Sequence, residues 1–213
     1  MPMKNNREYR NMMLNIETRA EGDELPEKEE RAVSGYASTF DEPYTLYSDD
    51  YVTFREVVDP KAFDNTDMSD VIMQYDHEGR VIARTKNNTL EVIPDEQGLF
   101  IKADLNGTEL GRELYDEIRG GYTDKMSFGF TIDRTEQTQT DLEDGKIDIL
   151  RRILSVSKLY DVSAVSIPAN DGTSISVETR SEIDGVIEEV RAERLNRAKL
   201  ELKKRLLKKE QRT

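Results

Sequence analysis

The chain has 213 residues, with 44 acidic against 31 basic side chains, a formal net charge of −13, no cysteine, no tryptophan and one histidine. Zero cysteines exclude a disulfide scaffold, a thiol nucleophile and thiolate metal sites, and one histidine excludes multi-histidine metal cages. The acidic balance argues against a nucleic-acid partner, and no stretch nears the roughly 18 apolar residues of a membrane span. Residues 1–15 lack the apolar core of a signal peptide, so export is not expected.

In chain order, residues 1–30 are polar and charge-rich, and 21–30 holds Gly22 and Pro26. A partly disordered N-terminal arm is expected, in which only 12–16 suits a short strand. From 31 to 168 the pattern is mainly β. Runs of apolar and β-branched residues predict strands at 32–40, 53–58, 71–75, 81–85, 89–94, 99–105, 127–134, 147–156 and 163–167. The pair 90–94 and 99–103 reads as a hairpin. One helix is predicted over 109–119, where Thr108 suits the N-cap, Leu110, Leu114 and Ile118 share a face, and Gly120-Gly121 supplies the stop. Many strands, few helices and no βαβ rhythm predict an α+β, mainly β fold: a barrel or sandwich with helices outside it.

From 181 onward there is no proline, and Ile183, Val186, Ile187, Val190, Leu195, Ala198, Leu202 and Leu206 recur at helical spacing, predicting a C-terminal amphipathic helix. Residues 191–213 carry 10 basic and 3 acidic side chains, a net of +7, against 21 basic and 41 acidic in 1–190, a net of −20. The expected division is an arm over 1–30, a folded domain over 31–180 and a basic helical tail over 181–213. Such a tail either packs on its own domain, docks on a partner or self-associates.

Two segments invite chemistry. Gln74-Tyr75-Asp76-His77-Glu78-Gly79-Arg80 places the one imidazole in a polar turn after an apolar strand, where a side chain that titrates near neutrality can exchange a proton. The plain alternative is a structural or surface histidine. In Asp124-Lys125-Met126-Ser127-Phe128-Gly129-Phe130, the two phenylalanines share one strand face while Ser127 and Gly129 share the other. A serine–glycine face gives room for close approach, whether of a substrate backbone or a neighbouring strand. A serine nucleophile needs a base, and that base needs an orienting group. Spacing does not select the acid, because Asp76 and Glu78 flank His77 and adjacent residues on an extended chain point apart. The acidic run Asp141-Leu142-Glu143-Asp144-Gly145 lacks the EF-hand spacing. No metal and no cofactor are expected.

A further pattern is ordered along the chain: Ser34-Gly35-Tyr36-Ala37, Arg55-Glu56-Val57-Val58 with 59–63, the strand ending at His77, Met126-Ser127-Phe128-Gly129-Phe130, then Leu159-Tyr160-Asp161-Val162-Ser163-Ala164-Val165 with Pro168-Ala169-Asn170. Over about 31–171 this set resembles the prohead proteases of tailed bacteriophages, which look like relatives of the herpesvirus capsid maturation protease, assemblin. The resemblance implies an assemblin-like β-barrel with surrounding helices. It also implies a serine endopeptidase of Ser-His-Asp type, with Ser127 as nucleophile, His77 as general base and Asp161 orienting the ring. The implied substrates and docking partners are the major capsid protein and scaffold, cut inside the assembling procapsid in the host cytoplasm. Autoproteolysis is implied too, with the polar segments 21–30 and 136–144 as candidate cut sites, and a homodimer is a candidate state. The herpesvirus relatives carry a second histidine in place of Asp161 and an arginine-bearing oxyanion segment. This chain has no second histidine and no arginine over 164–167, so backbone N–H donors around Phe128 and Gly129 are expected instead. The alternative reading is a non-enzymatic scaffold or minor capsid-associated assembly protein in which Ser127 and His77 are structural.

Overall fold

A computed structural model describes residues 7–12, 16–18, 31–142, 146–165 and 177–210. In these, β1 (Glu8–Met12), β2 (Ile16–Thr18), β3 (Ala32–Thr39), β4 (Tyr44–Ser48), β5 (Val52–Val58), β6 (Ile72–Tyr75), β7 (Glu78–Arg84), β8 (Leu90–Pro94) and β9 (Gly98–Asp104) precede helix α1 (Glu109–Arg119). Strands β10 (Lys125–Asp141) and β11 (Ile147–Val165) and helix α2 (Val177–Glu210) follow. The fold is mainly β. One sheet runs β1-β10-β11-β5-β4, with β6 also on β11 and β7 on β6; the other runs β2-β3-β9-β8. Among the described residues these ladders end at β1 and β4 and at β2 and β8, so they form two sheets and no closed barrel.

The sheets meet where β10 lies against β3. Phe128, Phe130, Val162 and Met73 from the first and Val33, Leu99 and Ile101 from the second share one core, closed by Leu114 and Ile118 of α1. Helix α1 starts as its sequence dictates, with the Thr108 hydroxyl oxygen accepting the Gly111 N–H at 2.9 Å. Its buried face differs from the expected one: Gly111 is buried and Leu110 is 41% exposed. A Cβ at Gly111 would stand 2.4 Å from the Leu105 carbonyl oxygen, so the helix start is pressed against backbone and Leu110 is turned outward.

The expected strands 147–156 and 163–167 are one strand of 19 residues. The first half of β11 pairs in parallel with β5 and the second half with β6, while β10 runs antiparallel on its other edge. Neighbours on both edges hold the polar middle extended although its local pattern is weak. Strand β10 likewise outruns 127–134 to reach Asp141. Its distal half is polar and exposed and carries no apolar period, but β11 supplies the ladder. The segment 136–141 is therefore strand rather than the loop expected of a self-cleavage site; 143–145 and 21–30 lie outside the described residues. The N-terminal strand sits at Glu8–Met12, earlier than 12–16, because it is stapled to β10 by tertiary contacts.

Helix α2 buries Ile187 and Val190 against Leu46, Val52, Phe54, Ile147 and Ile149, and Arg191 reaches Asp49 at 2.7 Å. Beyond that, Leu195, Leu200, Leu202 and Leu207 are at least half exposed. At 3.6 residues per turn, Leu195 with Leu202 and Leu200 with Leu207 form two stripes about 140° apart. The single apolar face expected for the tail thus ends with its packed part. The side chains of Ile183 and Leu206 lie outside the described residues.

Candidate active site

Three adjacent strands build the site. Across the β10–β11 ladder Ser127 stands opposite Ser163 and Gly129 opposite Asp161, so all four share one face. On the other edge of β11, β6 runs parallel from Ile72 beside Asp161 to Tyr75 beside Ala164, and the Asp76 N–H donates to the Ala164 carbonyl at 2.9 Å. Asp76 and His77 then form a two-residue turn into β7, closed by Tyr75 opposite Glu78. Both have positive φ, 49° and 60°. Left-handed backbone at both central positions is the hairpin geometry that matches strand twist, and Asp and His are among the side chains that tolerate it. This turn folds the imidazole back over the sheet face.

His77 Nε2 lies 2.6 Å from Ser127 Oγ, and Nδ1 is hydrogen-bonded to Asp161 Oδ1. A proton on Nδ1 suits both contacts: Nδ1–H donates to the carboxylate and Nε2 accepts from the serine. Asp161 is 1% exposed and Ser127 is fully buried. The Ser163 hydroxyl donates to Asp161 Oδ1 at 3.0 Å, and the Arg7 guanidinium stands 3.7 Å from Oδ2. The Tyr9 ring meets the imidazole edge-on, with centroids 4.5 Å apart. A hydroxyl linked through an imidazole to a buried carboxylate can deliver its proton as it attacks a carbonyl.

Gly129 and Phe128 have other neighbours than a substrate. A Cβ at Gly129 would stand 2.3 Å from Asp161 Oδ2 and 2.7 Å from the Tyr9 ring, so glycine here makes room for the carboxylate. The Phe128 ring is in the core, stacked on Phe130 at 4.6 Å. Sequence reasoning did not single out Ser163, although its place two residues after Asp161 on a strand puts it on the same face. Nor did it reach Arg7, Tyr9 or Arg10, because nothing local marks β1 as part of the site.

On the opposite face of β10, Arg10 and Arg151 converge on Glu56, all three buried. Arg10 Nε donates to Glu56 Oε1 and Arg151 Nε to Oε2 at 2.7 Å; the Tyr44 hydroxyl donates to Oε1, and Glu8 receives Arg10 Nη2. Burial pushes the Glu56 carboxyl up, but the Arg10 and Arg151 charges outweigh it and hold the carboxyl at about 2. Among the described residues no group of three histidine or acidic side chains is placed to hold a metal ion.

Residues 15–185, most of the chain, match the caudovirus prohead serine proteases. The chain belongs to that family. No curated protein and no solved structure matches it. As a prohead serine protease it is a capsid-maturation protease of a phage procapsid, and capsid proteins are its substrate class. The matched stretch holds His77, Ser127 and Asp161, whereas β1 lies before it. For this protease, Gly129→Ala is expected to displace Asp161, lowering kcat by one to two orders of magnitude and stability by about 1–3 kcal/mol. Steady-state peptide cleavage and urea unfolding check both numbers.

Proposed function

We propose that Ser127, His77 and Asp161 form the catalytic triad of an endopeptidase that cuts scaffold, major capsid protein and itself inside the procapsid. The hydrogen-bonded series Ser127–His77–Asp161, in a chain of this family, is the observation that carries the reading. Ser127 Oγ attacks the scissile carbonyl carbon while its proton passes to His77 Nε2. Asp161 stabilises the imidazolium through Nδ1–H. The N–H of Phe128, the residue after the nucleophile, is the proposed donor to the oxyanion. Nε2–H then protonates the leaving amine as the C–N bond breaks, and water, activated by the same nitrogen, releases the acyl group.

Co-expression of the chain with its capsid partner, read by intact mass, tests this. Discrete fragments are expected that vanish in both Ser127→Ala and His77→Ala; one pattern common to all three chains would overturn it and return the chain to a non-enzymatic assembly role.

We also assign 31–180 as the protease domain, to whose two sheets β1 and β2 of the arm add a strand each, and the basic end of the tail as the element that draws the enzyme into the particle. The reversal of charge along the chain and the exposed leucines past Arg194 support this. The triple change Lys203→Glu, Lys204→Glu and Arg205→Glu is expected to leave peptide cleavage intact and lower incorporation into procapsids, measured by quantitative blotting of purified particles. Equal incorporation would refute the assignment.

A further inference from the structure

The nucleophile of the proposed reaction is fully buried, and β1 covers it. Strand β1 runs antiparallel along the edge of β10 that faces away from β11, with Asn11 opposite Ser127 and Arg10 opposite Phe128. The Arg10 carbonyl oxygen lies 3.1 Å from Ser127 Oγ. Strand β10 has one edge to give, because β11 holds the other along its whole length. A peptide that reaches Ser127 as an extended strand must therefore take the edge that β1 holds.

The contact is not set for cleavage. The Arg10 carbonyl oxygen accepts from the Ser127 hydroxyl, so the one seryl proton is shared between that oxygen and His77 Nε2. The Arg10 side chain leaves on the other face of the sheet and ends at Glu56, which is fully buried. A guanidinium is buried at such a depth only where a carboxylate receives it. Glu8 on β1 itself and Glu56 on β5 both receive it, and Glu56 is the one that stays when β1 leaves. Arg151 stays on Glu56 Oε2 when β1 leaves, while Oε1 keeps Tyr44 and gains an open side.

We propose that β1 is a resident pseudosubstrate. Resting on the protease reading above, the substrate binds as an antiparallel strand on β10 in the register of residues 8–12. It carries an arginine or lysine at the place of Arg10, directed by Glu56, and reaches Ser127 only when β1 leaves.

Two measurements on the full chain test this. Extended peptides that differ at one position (Arg, Lys, Ala, Leu or Glu) are offered to the enzyme and the cut bond is read by mass. Cleavage after arginine or lysine is expected to exceed cleavage after alanine by about ten-fold or more. Labelling of Ser127 by a fluorophosphonate is then compared in the wild type, Arg10→Ala and Arg10→Gln, the last keeping most of the packed stem. Loosening β1 is expected to raise the labelling rate several-fold in whichever variant retains the wild-type circular dichroism. Cleavage without preference for a basic residue, or equal labelling rates with Ser127 reactive throughout, overturns the pseudosubstrate and leaves the protease reading standing. A Ser127 that neither labels nor cleaves in any of the chains overturns the protease reading itself.

Discussion

Alanine at His77 is expected to lower kcat on a capsid-derived peptide by about 10⁵- to 10⁶-fold. The chain holds one histidine, so no second imidazole can take over the proton. Ser127→Ala should cost as much, and the double variant no more than either single one, because in the proposed mechanism nucleophile and base act in the same step. Asp161→Asn should cost about 10⁴-fold. The amide keeps the volume beside Gly129 but offers no charge to the imidazolium, and an NH₂ facing Nδ1 favours the wrong tautomer. Quenched-peptide kinetics on the four variants, with thermal melts to show that each is folded, read the whole set. Losses that multiply in the double variant would break the single-step mechanism.

Glutamine at Glu56 is expected to destabilise the protein by about 3–5 kcal/mol at neutral pH, because it strips a buried carboxylate from two buried guanidinium groups. The loss should depend on pH with a definite sign. The Glu56 carboxyl sits at about 2 in the folded chain against an ordinary 4.5. Its stabilisation is therefore complete above about pH 4.5 and fades as the pH falls toward 2, an effect of about 3 kcal/mol. Urea unfolding at a series of pH values should show wild type and Glu56→Gln converging as the solution is acidified through that window. A gap that stays constant from pH 6 to pH 3 would mean that the ionised carboxylate is not what holds Arg10 and Arg151. Because Arg10 anchors β1, the same substitution should also speed labelling of Ser127.

Much of this was legible locally. The span of α1 followed from a capping threonine, an apolar repeat and two glycines, all within one stretch of chain. Strands such as β5 and β9 showed their apolar period, and the reduction to one histidine and no cysteine narrowed the chemistry before any contact was known. Ser127 and His77 stood out through residue type and position, the serine on a strand face shared with Gly129 and the histidine in a polar turn after a strand. Asp161 did not, since nothing within a few residues of it distinguishes it from dozens of other carboxylates; the family pattern supplied it.

What local sequence could not carry is whatever depends on partners far along the chain. Strand β11 reads as two segments until β5 and β6 occupy its edge, and the distal half of β10 reads as loop until β11 pairs with it. Gly129 reads as room for a substrate, and its meaning changes when the ladder sets Asp161 opposite. Residues 8–12 have a polar pattern with no period worth trusting, yet they close over Ser127 because Glu56, some 46 residues away, receives Arg10. The sequence by itself determined which side chains were available for acid–base chemistry and where the regular elements with strong local patterns begin and end, because residue type and short-range periodicity are properties of neighbours in the chain. Only the tertiary structure decided which of those side chains meet and what covers them, because strand register and buried charge pairing join residues that sequence separation hides.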